Sequence, residues 1–136
     1  FGTNQNELIE AAGGLKEGCE KVISGGPMMG FAMYTTDTPI TKTSSSILCM
    51  SKDEVSACEP TACINCGRCV DACPSRIIPS RLADFAERHD EEAFLKFNGL
   101  ECVECGSCSY VCPAKRQLKQ AIGSMRKTAL ANKKKK

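Results

Sequence analysis

A chain of 136 residues carries 18 Lys plus Arg against 16 Asp plus Glu, a formal net charge of +2, with no Trp, two Tyr and five Phe. That length allows one ordinary domain or two small ones, and so few aromatic side chains predict only a modest core. No apolar window of eighteen residues occurs, which excludes a membrane-spanning helix, and basic residues are not interleaved with aromatics as nucleic-acid binding would require.

The charge is polarised along the chain. Residues 1–113 hold sixteen acids and nine bases, whereas Ala114 to Lys136 holds nine bases and no acid. The acidic body suits docking to a basic partner surface. The chain opens on Phe1 and enters directly into helix-starting sequence, so it is expected to be a piece of something longer.

Asn4 to Ala12 reads as a short helix with polar caps and a glycine stop at Gly13-Gly14. Glu20 to Ser24 reads as a strand ending in the turn Gly25-Gly-Pro-Met-Met-Gly30. That turn lacks the Lys-[Ser/Thr] ending or strand-helix frame of a phosphate loop, so it is taken as structural. Phe31 to Tyr34 reads as an edge strand, and Ile40 to Met50, rich in β-branched and hydroxyl residues, as extended chain with Ile47 and Leu48 feeding a core. Residues 1–50 thus form a small α+β unit, with too few strands for a complete sheet. Residues 51–61 are a polar connector containing Pro60.

The next stretch carries the chemistry. Cys63, Cys66, Cys69 and Cys73 precede Pro74, and Cys102, Cys105, Cys108 and Cys112 precede Pro113, so the spacing C-x2-C-x2-C-x3-C-P occurs twice. Three thiolates on one tight loop can bind three corners of an iron-sulfur cube, while the fourth reaches the other cube. Crossed ligation is expected: Cys63, Cys66, Cys69 and Cys112 for one [4Fe-4S] cluster, Cys102, Cys105, Cys108 and Cys73 for the other, with a [3Fe-4S] form of one still open. Gly67 and Gly106 suit positive φ beside the sulfurs, and the two prolines direct the fourth thiolate of each repeat. Structural zinc fits a doubled triplet poorly, all the more in a chain whose one histidine is His89, and eleven cysteines is an odd number for a disulfide framework. Removing iron is expected to unfold residues 60–115.

Between the repeats, Ser80 to His89 reads as a helix capped by Ser80, with Leu82, Phe85, Ala86 and His89 on one face. Asp90 to Phe97 reads as a second helix closed by Asn98-Gly99. His89 is given a structural role, Tyr110 is expected to pack over a cluster and shield it, and Cys19, Cys49 and Cys58 read as buried or incidental thiols. Cys58 is the candidate spare ligand. Ala114 to Ala131 reads as an amphipathic helix with Leu118, Ile122, Met125 and Ala129 inward. The basic tail, residues 132–136, is a solvated end or a contact with anionic lipid or an acidic partner.

Gly25-Gly-Pro-Met-Met-Gly30, the segment from Thr38 through Pro39-Ile-Thr-Lys-Thr-Ser-Ser-Ser-Ile to Leu48, and the two cysteine repeats together resemble the C-terminal part of the RnfC family, a component of the Rnf electron transport complex. The resemblance implies a partial β-grasp unit, like a soluble-ligand-binding domain, over residues 1–50, and a mainly helical dicluster ferredoxin domain over residues 62–131. It implies that the FMN and NADH sites lie in upstream domains with no counterpart here. The implied task is single-electron relay within a membrane-bound, ion-translocating ferredoxin:NAD oxidoreductase, toward another iron-sulfur protein of that complex, peripheral on the cytoplasmic face of a bacterial cell membrane. This chain itself needs no catalytic pocket, acid or base. Two other readings stand beside it: the iron-sulfur part of a cobalamin-reducing flavoprotein of bacterial microcompartments, and a structural zinc or ligand-binding module.

Overall fold

The computed structural model describes residues 1–54 and 57–135, and the chain divides into two compact units, Phe1–Cys58 and Glu59–Lys136. The division falls inside the polar connector, of which Val55 and Ser56 lie outside the described residues. The fold is α+β: a small antiparallel sheet in the first unit and helices in the second.

The first unit opens with α1 (Gln5–Ala11), whose N-cap Asn4 accepts a hydrogen bond from the Asn6 N–H. Its end is closed by the Gly13 N–H on the Glu10 carbonyl and the Gly14 N–H on the Ile9 carbonyl, satisfying carbonyls that the helix leaves open. Strands β1 (Lys21–Ser24), β2 (Phe31–Met33) and β3 (Ile47–Met50) pair antiparallel in the order β2-β1-β3, with Ile23 opposite both Ala32 and Leu48. The Gly25–Gly30 turn joins β1 to β2 as a structural device. A Cβ on Gly30 would run into the Gly26 and Ser24 carbonyls and the Ile23 side chain, so only glycine lets the chain fold back this tightly. The extended stretch from Ile40 is shorter as a strand than its composition implied. Thr41–Ser44 forms a turn held by its own hydroxyls, and pairing with β1 begins at Ile47.

In the second unit, α2 (Arg68–Asp71) and α5 (Ser107–Tyr110) are single turns inside the two cysteine repeats. Around them lie α3 (Pro79–Glu87), α4 (Glu91–Lys96) and the long α6 (Leu118–Lys135). Helix α3 starts at Pro79, with Ile78 as N-cap and Ser80 inside the first turn rather than capping it. Proline at the first helical position has no N–H to leave unsatisfied, which moves the start one residue earlier. Leu82, Ala83 and Ala86 are its buried stripe, but His89 lies beyond the helix in a left-handed, exposed turn (φ 55°) and belongs to no apolar face. Asp90 caps α4 by accepting from the Ala93 N–H at 3.0 Å.

Helix α6 lays Leu118, Ile122, Met125 and Ala129 against α3 and α4, as the spacing predicts. It begins at Leu118 instead of Ala114 and continues to Lys135, so Asn132–Lys135 of the expected tail is helical and Lys136 lies outside the described residues. Phe94, Leu82 and Ile122 are fully buried, and each contributes roughly 1.5–3 kcal/mol of burial. The cysteines join this core directly: Cys69 and Cys108 belong to it, and Cys73, Cys102 and Cys112 pack on its edge.

Gly99 sits flat against the Phe94 ring, with no room for a Cβ. Gly99→Ala is therefore expected to cost about 1–3 kcal/mol by forcing that ring out of its site, read as a lowered thermal midpoint.

Candidate metal centre

The two repeats use their backbones identically. Asn65 and Glu104 adopt φ of 54°, Gly67 and Gly106 follow at 78° and 84°, and Arg76 and Lys115 turn at 52° and 53°. Successive residues of this kind direct N–H groups into a concavity suited to anionic sulfur. In the first loop the Asn65 N–H already donates to Cys63 Sγ at 3.5 Å. One turn of helix then carries the third cysteine inward, leaving Cys69 9% and Cys108 8% exposed.

The cysteines line two cavities. One, of about 210 Å3, is bounded by Cys63, Cys66 and Cys69 of the first repeat and by Cys112 of the second, with Ile64, Val70 and Leu118 as apolar wall. The other is narrower, about 20 Å3, and is bounded by Cys102, Cys105 and Cys108 together with Cys73. Each cavity thus draws its fourth thiol from the opposite repeat. Among the described residues no three Cys, His, Asp or Glu side chains converge as they would around a single metal ion. A cubane asks for something else, one thiolate at each of four separated corners.

The donor chemistry fits such a group: cysteine only, apolar walls, and inward N–H groups. The first cavity has space for it, whereas in the second the thiols must swing apart. There the chain without metal holds its protons. Burial pushes the Cys108 thiol up to about 11 and raises Cys102, while hydrogen bonds from Ser107 lower Cys105. Iron binds thiolates, so loading this loop releases protons.

Two ion-pair clusters fix the loops to the helices. Arg116, on the wall of the first cavity, places Nη2 2.9 Å from both Asp84 and Glu87 of α3, with its side chain 11% exposed. Burial opposes its charge, but the Glu87 and Asp84 hydrogen bonds outweigh that and raise its pKa. Arg126 of α6 reaches the second loop, Nη1 lying 3.3 Å from Glu104 Oε1 and Nε donating to the Leu100 carbonyl at 3.2 Å. Gly123 leaves the room that the Glu104 carboxylate occupies against α6.

Three other sequence expectations read differently in three dimensions. Tyr110 is 78% exposed, because α5 turns its third cysteine inward and the residue two further on outward. Cys58 stays in the first unit with its thiol on the Glu54 carbonyl at 3.3 Å. Cys49 and Cys58 are exposed and Cys19 is only partly covered, so none of the three is a buried thiol. The left-handed pair Asn65 and Glu104 and the clamps Arg116 and Arg126 went unread. The first pair is visible only by aligning the two repeats position by position, and the clamps join residues too far apart in sequence for any local signal.

A family model for the 4Fe-4S dicluster domain matches residues 62–116. Similar curated proteins include the RnfC subunit of the proton-translocating ferredoxin:NAD(+) oxidoreductase complex of Clostridium ljungdahlii, 50% identical over 90% of this chain and 27% of the relative. The counterpart in the Na(+)-translocating complex of Acetobacterium woodii is 41% identical over 99% of this chain and 30% of the relative. That of the ion-translocating oxidoreductase complex of Methanosarcina acetivorans is 46% identical over 90% and 27%. The chain spans under a third of the length of these relatives.

Arg126→Met removes both bonds to the second loop. For a pair this accessible the expected loss is about 1 kcal/mol, seen as roughly five-fold faster hydrogen exchange at the amides of residues 102–108. The amides of residues 63–69 should keep their rates; an equal rise in both loops would show that the clamp acts on the whole unit.

Proposed function

We infer that this chain, which belongs to the RnfC family of ion-translocating ferredoxin:NAD(+) oxidoreductase complexes, is the electron relay of such a protein. The supporting observation is the pair of four-cysteine cavities, each completed by the other repeat. The ligands are Cys63, Cys66, Cys69 and Cys112 for one [4Fe-4S] cluster and Cys102, Cys105, Cys108 and Cys73 for the other. When bound, each cluster supplies a one-electron couple whose potential is set by exposure, charge and hydrogen bonds to sulfur.

The chain's own residues do the rest. The left-handed loop residues aim N–H groups at sulfur, Leu118 and Ile122 keep an apolar wall behind the cavities, and α3 with α6 holds the two loops at a fixed spacing. Electron transfer of this kind moves no heavy atom, so a rigid frame is what the fold must provide. Electrons pass singly between an FMN- and NADH-binding part of the longer protein and a partner iron-sulfur protein. The assembly is peripheral on the cytoplasmic face of the membrane, and among the described residues no helix is long and apolar enough to cross one. The first unit serves as the end of a β-grasp, soluble-ligand-binding-like domain, with residues 51–61 as linker to the ferredoxin domain, residues 62–131.

Anaerobic reconstitution is expected to give about eight iron and eight sulfide per chain. Crossing is tested by pairs of variants in redox-titrated EPR. Cys63→Ser and Cys112→Ser should abolish one and the same signal, and Cys102→Ser and Cys73→Ser the other. If Cys112→Ser instead removes the signal that Cys102→Ser removes, ligation is uncrossed. Chelation of iron should open residues 63–73 and 102–112 to hydrogen exchange first, with α3 and α6 following more slowly because Leu82, Phe94 and Ile122 pack among themselves.

A further inference from the structure

Cys19 and Cys49 lie outside both repeats, yet the first unit brings them together. Lys21 and Val22 of β1 pair with Met50 and Cys49 of β3, and the Glu20 N–H donates to the Met50 carbonyl at 2.9 Å. The residues entering β1 therefore run beside the end of β3. Alternation along β3 puts Cys49 on the face opposite Leu48, where it is exposed. Cys19 is partly covered, its Sγ 3.7 Å from the Lys21 carbonyl, and the two thiols are hydrogen-bonded to each other. Thiols of two neighbouring segments in mutual contact, one of them open to solvent, have the arrangement that thiol-disulfide exchange needs.

We propose that Cys19 and Cys49 are a reversible dithiol-disulfide pair that exchanges with low-molecular-weight disulfides, a modification site separate from the cluster ligands. In the first step the thiolate of one cysteine attacks the small disulfide, forming a mixed disulfide and releasing one small thiol. In the second, the other cysteine attacks the protein sulfur of that mixed disulfide, closing the Cys19–Cys49 bond and releasing the second small thiol. Two electrons and two protons leave the protein and end on the two released thiols. Burial, and then the Cys19 neighbour, raises the Cys49 pKa. The exchange is accordingly slow at neutral pH and quickens as pH rises toward that pKa, because the thiolate is the attacking species.

The thiol pair is independent of the relay. Cys19 lies in the tryptic peptide Glu17–Lys21 and Cys49 in Thr43–Lys52, and neither contains a repeat cysteine. The test treats the iron-loaded 136-residue chain with oxidised glutathione under anaerobic conditions, alkylates the remaining thiols and maps the peptides by mass spectrometry. Expected are a cross-link between those two peptides, Cys58 outside it, and a fall in alkylatable thiols outside the repeats from three to one. Dithiothreitol should restore all three, and Cys49→Ser should leave Cys19 carrying one glutathione with no cross-link. Separate glutathionylation of Cys19 and Cys49, a cross-link through Cys58, or no reaction at all overturns the proposal. A chain that takes up no iron refutes the relay reading, and its Cys19 and Cys49 peptides still decide this one.

Discussion

Each cavity of the helical unit takes its fourth cysteine from the opposite repeat, and that exchange is the constraint on which the remaining geometry rests. It forces Cys73 to stand beside the second loop and Cys112 beside the first, so the two loops must lie close together. The segments that follow, Pro79 into α3 and Leu118 into α6, then leave the pair of cavities in equivalent ways and pack on one another. The apolar core is the space between them. Cys69 and Cys108 are members of that core, and the metal-binding chemistry and the packing therefore share side chains.

The duplication does not make the two sites alike. The first cavity is the roomier and has Cys63 and Cys66 exposed, with the Arg116 guanidinium on its wall. The second is narrow, all four of its cysteines are at least partly covered, and the Glu104 carboxylate stands at its edge. Exposure and local charge both act on the redox couple of an iron-sulfur group, so one folded motif used twice yields two inequivalent sites. The difference comes from residues outside the ligand set. Asn65 and Glu104 hold the same backbone angle, but only the carboxylate recruits an arginine from α6.

What was legible in the sequence was whatever repeats or alternates locally. The cysteine spacing, the capping Asn4 and Asp90, and the inward positions of α6 all express short-range rules, and the fold follows them. The misreadings have common causes. Ser80 looked like a cap because its hydroxyl suits one, but Pro79 starts the helix sooner. His89 matched a helical period in a segment whose helix had already ended at Glu87. Thr41 to Ser44 has strand-like composition, yet its hydroxyls satisfy the backbone locally and leave only the end of the stretch to the sheet. Pairings such as Arg116 with Asp84 and Cys19 with Cys49 join segments about thirty residues apart, and no local pattern announces them.

The helical unit also combines two kinds of cohesion that respond to different conditions. Phe94, Leu82 and Ile122 bury apolar surface and need no metal, which gives α3, α4 and α6 a nucleus of their own. The loops have no such nucleus. Ile64 and Val103 point outward at 66% and 56% exposure, several residues hold left-handed angles, and the thiols facing the second cavity are hard to ionise without a cation nearby. A loop of that kind is costly to hold empty and becomes favourable once four thiolates share a positively charged core. The sequence expectation that residues 60–115 stand or fall as one with their iron therefore merges two layers. Helices packed by hydrocarbon provide the frame, and the loops they carry acquire their final order from the metal.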